Sequence, residues 1–294
     1  MTDVLIRGAG LLGTSLGLAL SQTGARTYLE DLDPSAVGTA VAMGAGSDEP
    51  CLTPDVVFVA VPPDQTADEV AAALKAYPEA TVSDVSSVKS EPIEALQARG
   101  VDLSRYVGGH PMAGREVSGA AAGRGDLFED RPWILTPIGV TSPHRLEQVA
   151  TLAEQMHAVV RLMDPDEHDR AVALCSHAPQ VVASLLAAQL LGASAADVSV
   201  AGPGVRDTTR IAASDPGLWA QILLANAEHV EVYLERFGQD VATFQKALTT
   251  RDEASVRELL GRGVQGRGRL PGKHGGEAAD FATVSVVIED APGQ

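Results

Sequence analysis

Hydrophobic and polar positions divide the chain into two regimes. Up to about residue 163, short apolar runs alternate with amphipathic stretches, the pattern of strands joined by crossover helices. Val4-Leu-Ile-Arg7 reads as a strand running into Gly8-Ala-Gly10-Leu11-Leu12-Gly13, after which Leu16, Ala19 and Leu20 recur at helical spacing. Thr27 to Glu30 is a second strand, ending in Asp31. Asp55 to Val61 is apolar almost throughout, as a central parallel strand covered on both faces requires, and Pro62-Pro63 stops it. The pattern then predicts a helix over Gln65 to Ala76, a strand over Thr81 to Val85, a helix over Glu91 to Arg99 and a strand ending at Val107. A loop over Met112 to Phe128, a strand over Trp133 to Thr136, a helix over Pro143 to His157 and a strand over Val159 to Met163 complete this half.

From Asp164 to about Leu260 the period is helical. Asp164-Pro165 and Asp215-Pro216 each combine a capping carboxylate with a proline in the first turn. The apolar tract Ala171 to Leu191 is interrupted by Ser176, His177, Pro179, Gln180, Ser184 and Gln189, so it reads as a buried helix kinked at Pro179, not a membrane span. His168 and His177, nine positions apart, fall on opposite faces of a straight helix at about 100° per residue and cannot chelate one metal. Gly202-Pro203-Gly204 breaks the helices ahead of Arg206 and Arg210, whose spacing puts them on one face. Leu218, Ile222, Leu223, Val230 and Leu234 form a broad stripe suited to bundle packing, including packing between subunits. Gly261 to Gly276 reads as a basic glycine-rich linker and Asp280 to Ile288 as a strand.

Composition narrows the partners. A formal net charge of −17 opposes nucleic-acid backbones and anionic lipid, although local arginines can still hold a small anion. Cys51 and Cys175 have no metal-ligand spacing and read as buried thiols in a reducing compartment; no metal is expected. Val4 to Ile6 meets the glycine turn with no basic leader before it, so a cytoplasmic place is expected.

Strand, glycine turn, helix and a second strand ending in an acid form the setting that gives a GxGxxG motif meaning. Gly8 makes the tight turn, Gly10 lets a pyrophosphate approach, Gly13 lets helix and strand pack closely, and the helix N-terminus offers free N–H groups. Asp31 would accept from ribose hydroxyls and oppose a second phosphate, which favours NAD over NADP; an Asp serving only the turn before Asp33-Pro34 is the bland alternative. Val61 and Pro62 stand where the nicotinamide half would lie. The expected fold is therefore α/β: a Rossmann-type nucleotide-binding domain over 1–163, an all-α dimerisation domain over 164–260, then linker and a lone strand over 261–294. Ser86-Ser87-Val88-Lys89 ends one strand at the ligand-binding mouth, where helix capping by a serine is the alternative use. Val107 to Glu116 holds one imidazole, His110, among Gly108, Gly109, Pro111 and Gly114, with Arg115 and Glu116 beside it.

Taken together, Gly8 to Gly13, Ser83 to Lys89, Gly108 to Gly114, Glu167-His-Asp169, Ser176-His177, Asp207 to Ala212 and Ser214 to Trp219 resemble the prephenate and arogenate dehydrogenase family of tyrosine biosynthesis along almost the whole chain. The resemblance implies an NAD-dependent oxidoreductase, a homodimer formed through the helical domain, and a cyclohexadienyl carboxylate substrate. It implies that His110 is the catalytic acceptor, that Ser87 hydrogen-bonds the reacting hydroxyl and that Arg210 binds a carboxylate. Glu116, His177, Gln180 and Trp219 would line the pocket, with His168 in support. Relatives often read Ser-His-Leu-Pro-His where this chain has Ser176-His-Ala-Pro-Gln180, which leaves arogenate or an amino-substituted prephenate as alternative substrates. Pro203 also replaces a usual glycine and removes one backbone N–H. The last strand looks like the start of an ACT-type segment. A regulator that binds NAD without chemistry would need the glycine turn and Asp31 but not His110, Ser87 and Arg210 together. A β-hydroxyacid dehydrogenase would be expected to place a lysine beside the arginines, where none stands.

Overall fold

The computed structural model describes residues 2–115 and 117–270. The chain falls into two compact units, Met1–Gly238 and Gln239–Gln294. In the first, seven strands form one sheet: β1 (Asp3–Arg7), β2 (Arg26–Glu30), β3 (Val56–Val59), β4 (Thr81–Asp84), β5 (Tyr106–Pro111), β6 (Pro132–Thr136) and β7 (Val159–Leu162). Their spatial order is β2-β1-β3-β4-β5-β6-β7, all parallel except for the antiparallel β5–β6 pair. Helices α1 (Leu11–Ser21), α2 (Pro34–Ala42), α3 (Pro63–Ala76), α4 (Ser90–Ala98) and α5 (Pro143–Gln155) connect them. Side-chain alternation in β1 explains the two layers: Val4 and Ile6 pack with Leu16, Leu20 and Phe58 on one face, and Leu5 packs with Val57, Val70 and Leu74 on the other. All four residues of β3 are buried, as its unbroken apolar run requires.

The strand expected to end at Val107 runs further. β5 continues past Val107 to Pro111, with His110 opposite Ile134 of β6. The glycines before His110 serve close approach instead of a turn: a Cβ on Gly108 would lie 2.3 Å from Thr136 Oγ1, and one on Gly109 would lie 2.6 Å from the Asp84 carbonyl oxygen. His110 is thus mounted on the sheet.

The helical part of the first unit begins with α6 (Pro165–Val172), capped by Asp164, whose side chain accepts from Asp166 N–H. A π-helical turn, Ala173–His177, separates it from α7 (Ala178–Ala188). Pro179 has no N–H to offer the Cys175 carbonyl, and a wider turn relieves that mismatch. The wider turn also overturns the expectation that His168 and His177 face opposite ways: both are buried, at 0% and 1% exposure, and both join one hydrogen-bonded cluster. The tract expected to be buried is half open in the single chain, with Leu185 and Leu191 exposed. Short α8 (Ala195–Ser199) and α9 (Pro203–Thr209) follow, then a 3-10 turn, Arg210–Ala213, and α10 (Pro216–Ala225). Arg206 and Arg210 therefore do not share one α-helix.

Helix α11 (Ala227–Thr250) begins in the first unit and ends in the second, which also contains α12 (Glu253–Gly268). The linker expected from Gly261 is helical as far as Gly268. Asp252 caps α12 through Ser255 N–H, and Arg257 pairs with Glu253 one turn away. The strand expected over 280–288 lies outside the described residues.

Candidate active site

The glycine turn is built for a phosphate-bearing ligand. Gly8 has a φ of +105°, and a Cβ there would lie 2.3 Å from the Ala60 carbonyl oxygen on the neighbouring strand's end. On Gly13 a Cβ would lie 1.7 Å from the Gly8 carbonyl oxygen, so α1 can sit this close to β1 only without it. Nothing lies within 4 Å of a Cβ on Gly10, which opens this side of the turn. Gly10 caps α1 with no side-chain bond, leaving first-turn N–H groups of Leu11, Leu12 and Gly13 for an anion. Asp31 accepts Ala9 N–H at 2.6 Å and Asp33 N–H at 2.8 Å, tying the end of β2 to the turn. Each carboxylate oxygen keeps a further lone pair, so this tethering and ribose binding are compatible. Val61 and Pro62 follow β3 at the same edge. These residues fit a dinucleotide.

Two and three strands along the sheet from β1, at β4 and β5, a buried polar cluster fixes the imidazole. Lys89 is fully buried, ion-paired with Asp84, and donates to the Gly109 carbonyl at 2.7 Å. Asp84 also accepts from Tyr106 Oη at 2.7 Å and Ser86 N–H at 2.9 Å. Burial pushes the Lys89 amine below its ordinary range while Asp84 pulls the other way; burial beside Asp84 keeps the Tyr106 phenol protonated. Lys89, expected at the mouth of the sheet, instead points inward and holds β5 against β4.

A second chain of bonds reaches His110 itself. Asp169 Oδ1 accepts Lys89 N–H at 2.9 Å and Oδ2 accepts Ser90 N–H at 2.8 Å, so the carboxylate sits on the N-terminus of α4. Burial opposes its ionisation, but bonds from His168 and Ser90 outweigh that and hold it below the usual carboxylate range. His168 Nδ1 lies 2.8 Å from Asp169 Oδ1, and His168 Nε2 lies 2.8 Å from His110 Nδ1. An ionised Asp169 can only accept, which puts the His168 proton on Nδ1 and leaves its Nε2 bare. His110 must then donate from Nδ1, and its own Nε2 is left as the acceptor.

His110 is 7% exposed. Burial first, then His168, Lys89 and His177, drive its pKa well below the ordinary 6.5. The ring is therefore a neutral base at neutral pH, and the acid fall in activity belongs well below the near-neutral position that an unperturbed imidazole suggests.

The helical side carries the other candidates. His177 faces Asn226 at 3.0 Å and meets the Trp219 ring edge-on at 6.0 Å between centroids. Gln180 donates to the Ile211 carbonyl at 3.1 Å, which joins α7 to the turn that begins with Arg210. Arg210 is exposed. Ser87 is half-buried in the turn after β4, and its hydroxyl has no hydrogen bond among the described residues. Glu116 lies outside the described residues. The structure thus links His110 through His168, Asp169 and Asn226 to His177 and Trp219, whereas Gln180 bonds to Ser184 and to Ile211, the residue after Arg210. Asp169, Asn226, Asp84 and Tyr106 were not among the expected site residues. Asp169 adjoins a histidine in a helix's first turns, a signal that was present; Asn226 gave none.

Residues 16–162 match the prephenate dehydrogenase nucleotide-binding domain, and residues 164–262 match the prephenate dehydrogenase dimerization domain. A probable prephenate dehydrogenase of Streptomyces niveus is 36% identical over 100% of this chain and 84% of its own length. A crystal structure of prephenate dehydrogenase from A. aeolicus, in complex with hydroxyphenyl propionate and NAD+, is 30% identical with a TM-score of 0.81, covering 91% of this chain and 98% of that one. Synechocystis arogenate dehydrogenase is 26% identical with a TM-score of 0.74, over 90% and 98% of the two chains.

Proposed function

Because the chain belongs to the prephenate dehydrogenase family, we propose that it converts prephenate to 4-hydroxyphenylpyruvate by oxidative decarboxylation in tyrosine biosynthesis. Gly8, Gly10, Leu11, Leu12, Gly13, Asp31, Val61 and Pro62 would hold NAD, which would supply the hydride acceptor. His110 Nε2 takes the proton of the ring hydroxyl as hydride leaves the same carbon, and Ser87 hydrogen-bonds that hydroxyl. Arg210 positions the anionic ring beside His177, Gln180 and Trp219. Loss of carbon dioxide makes the ring aromatic and supplies the driving force, so the protein's share is orientation and a proton acceptor.

The observation that carries this reading is the bond from His110 to a histidine itself anchored on a buried carboxylate. That arrangement serves a base that must be neutral beforehand and cationic afterwards. His110→Asn keeps a polar side chain without a usable base. It should leave NAD affinity intact and cut turnover of prephenate by orders of magnitude; unchanged turnover removes the assignment.

Gln180 favours arogenate as a second substrate. Its amide nitrogen is committed to the Ile211 carbonyl, so its oxygen is the atom left over, and an oxygen can accept from an ammonium group. Rates with prephenate and arogenate, each with NAD and NADP, separate the two.

The match to a dimerization domain and the exposed apolar side chains Leu185, Leu191 and Leu224 support a homodimer through the helical part. Among the described residues, one stretch, 165–192, is long and apolar enough to cross a membrane. It carries His168, Asp169 and His177 in the buried cluster, which argues against its lying in lipid.

A further inference from the structure

A polar atom of His177 beside the relay has no partner among the described residues. His177 Nε2 is enclosed and makes no hydrogen bond among the described residues, while its Nδ1 lies 3.0 Å from Asn226 Nδ2. Asn226 is itself 4% exposed at the end of α10, and the same Nδ2 lies 2.8 Å from the Asp169 carbonyl oxygen. A carbonyl oxygen can only accept, so the amide must present nitrogen here; the flipped amide would set oxygen against oxygen. One N–H of Asn226 goes to Asp169 and the other points at His177 Nδ1, which must be a bare lone pair. The proton of the neutral ring is then on Nε2. Burial keeps the ring neutral, with a pKa of about 4.

Resting on the reading of the chain as a prephenate dehydrogenase, we infer that Asn226 is a positioning residue that locks His177 as an Nε2–H donor for an anionic oxygen of the bound substrate. The two imidazoles then stand in opposite tautomers. His168 leaves His110 able to accept at Nε2, and Asn226 leaves His177 able only to donate there. A buried donor without an acceptor is costly, and a ligand that supplies one recovers that cost on binding. Trp219, edge-on at 6.0 Å, sets the plane of the His177 ring and hence the direction of the N–H. A neutral donor suits this place because a cation at His177 would oppose the arrival of a proton on His110, which already feels it.

The test is proton-detected 15N spectroscopy of the full chain labelled at histidine, with NAD present. His177 should show a protonated Nε2 and a bare Nδ1, and its Nε2–H resonance should move when hydroxyphenyl propionate is added. Asn226→Asp is nearly isosteric but puts an acceptor at both contacts, so a neutral His177 should carry its proton on Nδ1 while the Asp169 carbonyl loses its bond. The KM for prephenate should then rise by about ten- to a hundredfold with kcat much less affected, since the bond is present in ground and transition states alike. A wild-type proton on Nδ1, or an aspartate variant whose tautomer switches while KM stays put, overturns the assignment. Should the variant not fold, the wild-type titration decides alone: an Nε2–H signal indifferent to the ligand overturns it equally. A wild type with the expected tautomer but no turnover of prephenate or arogenate would instead sink the enzymatic reading.

Discussion

Asp169→Asn alters one atom of the buried relay and separates its charge from its shape. Every partner of the carboxylate is a donor: His168 Nδ1 and Lys89 N–H at Oδ1, Ser90 N–H at Oδ2. Wherever asparagine places its NH2, it confronts one of them. With nitrogen at the Oδ1 position, His168 must turn a bare Nδ1 toward it and carry its proton on Nε2. His110 is then pushed to protonate its own Nε2 and can no longer accept. With nitrogen at the Oδ2 position the tautomers survive, but the charge that stabilises a protonated His110 is gone. The second case loses the charge-assisted part of the relay, about 1.5–3 kcal/mol in the transition state, or about ten- to a hundredfold in turnover. The first approaches the roughly ten-thousandfold loss that the same change causes in a Ser-His-Asp triad. The assay is reduced-nicotinamide absorbance at saturating prephenate, with NAD affinity and Tm as controls for the fold. A variant that folds, binds NAD and turns over at the wild-type rate refutes the relay.

Gly13→Ala should abolish NAD binding and lower Tm, because a Cβ 1.7 Å from the Gly8 carbonyl oxygen forces α1 away from the turn; calorimetric titration with NAD that matches wild type contradicts this. Stability should fall in acid: His110, His168 and His177 all have pKa values below the ordinary 6.5, burial being the main cause. The unfolded chain therefore binds protons first, so stability is full above about pH 6.5 and declines as pH falls toward the folded values. With a folded pKa of about 4, His177 alone accounts for about 3 kcal/mol by that pH, and urea midpoints that do not move between neutral and mildly acid buffer would count against buried neutral rings. Arg210→Lys keeps the charge but loses the planar fork, and should raise the KM for prephenate by about tenfold while leaving NAD affinity alone; a KM unaffected by the change would move the carboxylate site elsewhere.

Local chemistry made the nucleotide half legible in the sequence. β1, the glycine turn and β3 follow from short runs whose burial allows one structure, and Asp164 and Asp215 cap helices where Asp-Pro pairs announced them. His110 could be singled out, but its mounting could not, because glycines that admit a neighbouring strand look like glycines that make a turn. The relay stayed hidden for a different reason. Lys89, His110, Asp169 and Asn226 meet only through tertiary packing across 137 positions of chain, and periodicity carries no record of such pairings. The π-helical turn likewise defeats a fixed angle per residue, on which spacing alone sets His177 opposite His168.

The most direct measurement is the stoichiometry of one reaction: prephenate and NAD mixed with the wild-type chain, with reduced nicotinamide, carbon dioxide and 4-hydroxyphenylpyruvate followed together. The account predicts that all three appear in equal amounts, that the rate falls only well below neutral pH, and that His110→Asn abolishes their formation while NAD still binds. Equal formation of the three products by the His110→Asn variant, or none by the wild type with either prephenate or arogenate, would contradict it.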